Sequence, residues 1–295
     1  MTRLLRSPAA WALALIIAAG AAVSGPDLSA YAGAAPVSVG VGLLISATVT
    51  GIAAALVRRS RLWDRHGAVV ALALAWGALA APALIILCAD RTDALMTRLG
   101  WNAIADSVSG AWPEEIAKDL GVALISIAWW PRMRRPGDGL IIGLFCGLGF
   151  ELVETLVYGA AGALAHPSSD LAGALDSWRL RELGPGAGLH AICTAVAGRG
   201  LTTAMATGRR RHGVLGVVAG FALHFAWNAD WPQSWAQPAL GVVYAVSLAA
   251  LVVCWRSAPP RSRAGGPDGP PHPGGGVPLG ENAGGEGAHP PAGAR

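Results

Sequence analysis

Residues 139–163 read GLIIGLFCGLGFELVETLVYGAAGA. The run is longer than the roughly 20 residues a helix needs to cross the hydrocarbon of a bilayer. Its only charges are two carboxylates, Glu151 and Glu154. A carboxylate facing lipid near mid-bilayer costs about 2.5–3.5 kcal/mol on insertion scales, so both acids must look into protein or a wet cavity. This stretch therefore predicts a buried transmembrane helix, and the rest of the chain has to supply its partners.

Seven further apolar stretches do so, at about residues 8–24, 37–57, 68–89, 104–130, 186–206, 213–231 and 238–255. The fold class that follows is all-α, a polytopic membrane bundle of about eight transmembrane helices. The whole chain of 295 residues agrees, with 53% apolar and 14% charged side chains and a mean hydropathy of +0.47. A soluble globule could not clothe that surface, which excludes a soluble enzyme. The net charge of +4 is modest, and its basic residues sit in loops, so no nucleic-acid partner is expected.

Those loops predict the orientation. One side holds Arg3, Arg6, Arg58, Arg59, Arg61, Arg65, Arg132, Arg134, Arg135, Arg209, Arg210, Arg211, Arg256, Arg261 and Arg263; the other holds Arg91, Arg98, Arg179 and Arg181. Fifteen against four places both termini in the cytoplasm of a cell-membrane protein. Tryptophans mark the edges, with Trp129, Trp130 and Trp255 inside and Trp101, Trp112, Trp231 and Trp235 outside. The stretch at 8–24 reads as an anchor, with a signal peptide as the alternative. Leu171, Leu175 and Trp178 predict a short helix lying on the outer membrane surface. Residues 257–295 contain 11 Gly and 9 Pro in 39 positions, a composition that cannot offset its ordering entropy and predicts a disordered tail. The domains expected are 1–103, three N-terminal spans; 104–256, a catalytic core of five spans; and 257–295, the tail. Cys88, Cys146, Cys193 and Cys254 lie in apolar runs without a CxxC pair; they read as small hydrophobes.

Polar residues inside the spans carry the functional signal: Glu114, Glu115, Lys118 and Asp119 in the fourth, Glu151 and Glu154 in the fifth, His190 and Arg199 in the sixth, His224 and Asn228 in the seventh. Counting 1.5 Å per residue from the predicted edges brings Glu114, Glu115, Glu154, His190, His224 and Asn228 to one level in the outer half. A lone intramembrane histidine is more often a packing residue, and Glu114 with Lys118 at i,i+4 can be a plain ion pair. Six such groups at one depth on four helices argue for chemistry instead. Glu151, Asp119 and Arg199 read as structural.

The same residues carry a family resemblance. Glu114-Glu115-Ile-Ala-Lys118 resembles the EExxK motif of the PrsW family of intramembrane proteases. Phe150-Glu151-Leu-Val-Glu154 with Tyr158 resembles FxxxExxxY, His190 through Thr194 to Gly198 resembles HxxxTxxxG, and His224 with Asn228 resembles HxxxN. All four occur in order on successive spans, across residues 112–230. The wider superfamily includes the CAAX prenyl endopeptidases, whose second motif carries His where this chain has Glu154.

The resemblance implies hydrolysis of a membrane-anchored protein, such as an anti-sigma factor, within the lipid bilayer. Hydrolysis needs an activated water, a stabilised oxyanion and a proton for the leaving amine. Glu114 or Glu115 is the expected base, with Lys118 holding the pair and His224 and Asn228 facing the oxyanion, as likeness to the CAAX-type enzymes implies. The alternative is a divalent metal such as zinc held by His190, His224 and Glu154, although no HExxH is present. Cofactors are thus none or one metal. The non-enzyme alternatives are an ion-coupled transporter and a non-catalytic membrane scaffold.

Overall fold

The computed structural model describes residues 8–60, 62, 67–130, 134–181, 183, 184 and 186–258, and structural statements below concern these. The expected disordered tail lies outside the described residues from position 259 onward, as do Arg3, Arg6, Arg61, Arg65, Arg132, Arg261 and Arg263. The described chain is helical throughout, without a strand. We number its main helices α1 (Pro8–Ala34), α2 (Pro36–Arg59), α3 (Gly67–Ile86), α4 (Ala89–Arg98), α5 (Ala105–Ala128), α6 (Pro136–Ala165), α7 (Asp170–Arg181), α8 (Leu189–Thr207), α9 (Arg210–Trp227) and α10 (Gln233–Arg256).

A helix occupies each of the eight expected stretches. Five of them, α1, α2, α3, α6 and α10, are long and apolar enough to cross a membrane. The other three, α5, α8 and α9, run for 24, 19 and 18 residues and carry more polar sequence.

Helix α6 is the centre. It starts where Pro136 presets the first helical φ and the Asp138 carboxylate accepts the Arg135 backbone N–H at 2.9 Å. Along one of its faces Gly139, Gly143 and Gly147 recur every four residues. A Cβ at these positions would overlap, in turn, the carbonyl oxygens of Gly198, Thr194 and His190 on α8. Small residues spaced by four let two helix backbones approach until carbonyls touch the opposing glycines, a packing that does not depend on expelling water. Two residues of the HxxxTxxxG pattern, Thr194 and Gly198, thus lie on the seam that holds His190 in place. On α9, Gly216 and Gly220 meet α8 in the same manner.

Tryptophans fill the complementary gaps. Trp76, in a π-helical turn Trp76–Ala80 within α3, packs over Gly121 and donates from Nε1 to the Ala117 carbonyl at 3.0 Å. Such turns widen a helix locally and are frequent near functional sites. Trp178 packs over Gly159 and donates to the Thr155 carbonyl at 2.8 Å. This corrects one expectation: α7 forms where predicted, but its Trp178 is fully buried against α6 instead of lying in the membrane surface, while Leu171 and Leu175 stay exposed. Trp101, Trp112, Trp231 and Trp235 are exposed, as an aromatic belt requires, whereas Trp129 is part of the core.

Candidate active site

The site grows from one turn of α5. Glu115 and Lys118, three residues apart, face the same side of the helix and both are buried. Their ion pair is 2.7 Å long. Lys118 Nζ also lies 2.9 Å from His190 Nδ1 and 4.5 Å above the Phe150 ring. The second contact of Glu115 Oε1 is His224 Nδ1 at 2.8 Å. These partners settle the imidazole tautomers. An ammonium can only donate and a carboxylate can only accept, so His190 accepts at Nδ1 and donates from Nε2 to Glu154 Oε2 at 2.6 Å. By the same rule His224 donates from Nδ1 to Glu115 and accepts at Nε2 from the Asn228 amide at 3.2 Å. The two rings stand edge to face, 4.8 Å apart.

Glu114 differs from its neighbour. Its Oε2 is 3.7 Å from each of Lys118 Nζ, His190 Nδ1 and His224 Nε2. That buried oxygen has no hydrogen-bond partner among the described residues. Glu114 also lines two cavities, neither of which Glu115 reaches. The larger, about 600 Å³, is polar; Glu154, Arg181, His224 and Asn228 line it together with Asp90, Asp93 and Asp106. The smaller, about 290 Å³, is walled mostly by apolar side chains of α1, α3 and α6.

All seven expected site residues therefore meet, from four helices. The expected metal set does not form as such. The metal-ligating atoms that converge, within 4.8 Å of one another, belong to Glu114, His190 and His224. Glu154 is drawn away because its Oε2 binds the far ring nitrogen of His190 and Arg181 Nη2, each at 2.6 Å. The converging set fits a divalent ion in its chemistry, one carboxylate and two imidazoles. It fits in its surroundings too, since each imidazole gives its other N–H to a carboxylate, the usual arrangement behind a metal-bound histidine.

Two residues of the site were not singled out from sequence. Arg181 served there only as a loop charge, yet it pairs with Glu154 and stacks on Tyr158 at 3.9 Å. Gly110, one turn before Glu114, leaves room for the Asn228 amide, which a Cβ would meet at 2.8 Å. The residues read as structural do not line these two cavities: Glu151 accepts from the Gly188 N–H, Arg199 donates to Ser257 Oγ at 2.9 Å, and Asp119 is buried on α5.

Comparison with known proteins agrees with this geometry. The family described as PrsW family intramembrane metalloprotease matches residues 65–255, which takes in α3 through most of α10 and every residue of the site. No curated protein and no solved structure matches the chain. A multi-pass membrane chain with these four helices around one buried Glu–Lys–His cluster, matched over well over half its length, belongs to the PrsW family of intramembrane proteases.

Proposed function

We propose that the protein hydrolyses a peptide bond of a membrane-anchored protein, with Glu114 as the base that activates the attacking water. The carrying observation is Glu114: the residue borders the polar cavity, and its buried Oε2 is free of any hydrogen bond among the described residues. Glu115, locked between Lys118 and His224, holds the machinery in position. In this reading a water in the polar cavity gives its proton to Glu114 as its oxygen attacks the carbonyl carbon. The Asn228 amide donates to the carbonyl oxygen as it gains charge, and His224 orients that amide. When the C–N bond breaks, Glu114 returns the proton to the departing amine, leaving a new carboxyl and a new amino terminus.

A specific observation favours a second, metal-assisted version: the converging Glu114, His190 and His224 with carboxylates behind both rings. These three would hold the ion, and a bound divalent metal such as zinc would polarise the carbonyl and lower the pKa of its water. The position of Lys118 argues the other way, since its ammonium lies 2.9 Å from the His190 lone pair that such an ion would need. We favour the glutamate version.

The basic loops support eight crossings of the cell membrane with both termini in the cytoplasm, which puts cleavage in the outer half. A membrane-anchored anti-sigma factor is the substrate that the family resemblance suggests. Co-expression with single-span substrates, read as a cleavage product lost in Glu114→Gln, tests the reaction. Metal analysis and exhaustive chelation of the purified protein separate the two versions. Activity surviving chelation supports the glutamate version, and about one metal per chain, lost with activity in His190→Ala, overturns it.

A further inference from the structure

The two cavities share four lining residues, Ile85, Glu114, Glu154 and Tyr158. Their characters differ: one is a polar space whose lining includes Asp90, Asp93 and Asp106, the other a recess between α1, α3 and α6 that is mainly apolar although Asp27 also lines it. A chain whose carbonyl reaches Glu114 from the polar side then has the recess next to its neighbouring side chain. We infer that the recess is a specificity subsite that takes one large apolar side chain next to the scissile bond, an inference that rests on the protease reading above.

Size supports that occupant. At about 290 Å³ the recess is roughly twice the ~150 Å³ of a cavity that takes up benzene. That is room for a leucine or phenylalanine side chain, and far too little for a helix. Its walls include Leu28 and Tyr31 of α1, Ile86 of α3, and Val153 and Val157 of α6.

Of the polar residues in the wall, which include Asp27 as well, Ser24 bears on the substrate backbone. Ser24 lines the recess, is 3% exposed, and its Oγ has no hydrogen-bond partner among the described residues. Peptide hydrolysis requires the substrate to be extended at the cleaved bond, which releases backbone groups that need partners in a medium without water. Ser24 Oγ is placed to supply one. Its own helix is held there: one turn earlier, Gly20 brings α1 against the Leu79 carbonyl of the π-helical turn, where a Cβ would overlap it. Helix α1, which begins ahead of the residues matched by the family, thereby forms part of the substrate site.

The test uses the full chain in membranes with a single-span reporter whose scissile bond has been mapped. The two residues flanking that bond are varied through Ala, Leu and Phe. Wild type should cleave Leu or Phe about tenfold or more faster than Ala at one of the two positions, the scale of discrimination an apolar pocket supplies. Leu28→Trp, which fills the recess, should erase or invert that ratio among the reporters it cleaves, with its size-exclusion profile in detergent as the check on folding. Leu28→Ala, which enlarges the recess, should shift the preference toward Phe, and it decides the matter if the Trp variant is inactive on every reporter. A ratio unchanged in Leu28→Ala and in any active Leu28→Trp protein overturns the subsite, as it would if a lipid chain fills the recess, and leaves the protease standing. Absence of any Glu114-dependent cleavage by wild type overturns both.

Discussion

Helices α6 and α10 are nearly indistinguishable by hydropathy, with mean values of 2.0 and 2.1 over their most apolar windows. Yet 83% of that window is buried in α6 and 11% in α10. The difference lies in the small residues. Helix α6 places Gly139, Gly143 and Gly147 against α8, and Gly149 against the Leu74 carbonyl of α3. The single glycine of α10, Gly241, meets nothing within 4 Å. In a medium as apolar as leucine, hydropathy says only that a helix belongs in the membrane. Whether it packs at the centre is decided by how closely other backbones can approach it.

The largest expected effect follows from that contrast. Gly143→Val forces a side chain into the Thr194 carbonyl and should prevent a folded protein from accumulating. The cost exceeds the ~1–3 kcal/mol of an ordinary overpacked core, because the obstacle is backbone. Gly241→Val should leave folding close to wild type. Size-exclusion profiles and thermal melts in detergent check both, and equal behaviour of the two variants would break the comparison.

Within the core, a second contrast separates stability from chemistry. Lys118→Met removes the cation between Glu115 and His190 and leaves the buried Glu115 carboxylate with the His224 hydrogen bond but without its opposite charge, at a cost of about 3–5 kcal/mol; the melting temperature should fall sharply. Glu114→Gln should melt close to wild type while cleavage drops about 10²–10⁴-fold, the share a general base supplies. A Glu114→Gln protein that cleaves normally would move the base elsewhere.

A smaller effect sharpens the picture at the cavity wall. Gly110→Ala places a methyl group 2.8 Å from the Asn228 amide nitrogen and should displace it by a few tenths of an ångström. Cleavage should fall several-fold to about tenfold with little change in melting, because misplaced groups cost rate steeply. Normal cleavage in that variant would separate Asn228 from the oxyanion.

The sequence makes the helices legible because apolar runs of bilayer length are rare by chance, and it makes the site legible because charges inside such runs are costly. Glu114, Glu115, Lys118, Glu154, His190, His224 and Asn228 stand out as polar groups inside such runs, and shared depth and the family resemblance separate them from Asp119, Glu151 and Arg199. What it leaves open depends on packing. Glu114 and Glu115 are adjacent and chemically identical, and the side Lys118 takes together with the arrival of α9 with His224 determines which one is locked and which borders the cavity. Arg181 sits on a short surface-like helix whose burial needs Gly159 to receive Trp178. Helix α4 is too short and too polar to register as a span, and the π-helical turn in α3 changes the backbone without changing the apolar run that contains it.

The charges around Glu114 have a consequence for what the reaction asks of its surroundings. With Glu114 ionised, as a base has to be, Glu114, Glu115 and Glu154 carry three negative charges beside the two positive ones of Lys118 and Arg181. Moving a proton from water to Glu114 neutralises one carboxylate, while the attacked carbonyl oxygen acquires the charge that the carboxylate gave up. The total over these groups is the same before and after attack. Where a new unit charge is costly because the medium screens poorly, the centre creates none; it relocates one by a few ångströms. The lipid and the outer helices then see only a small change of dipole, and the bundle can work without a large shell of water to answer each turnover.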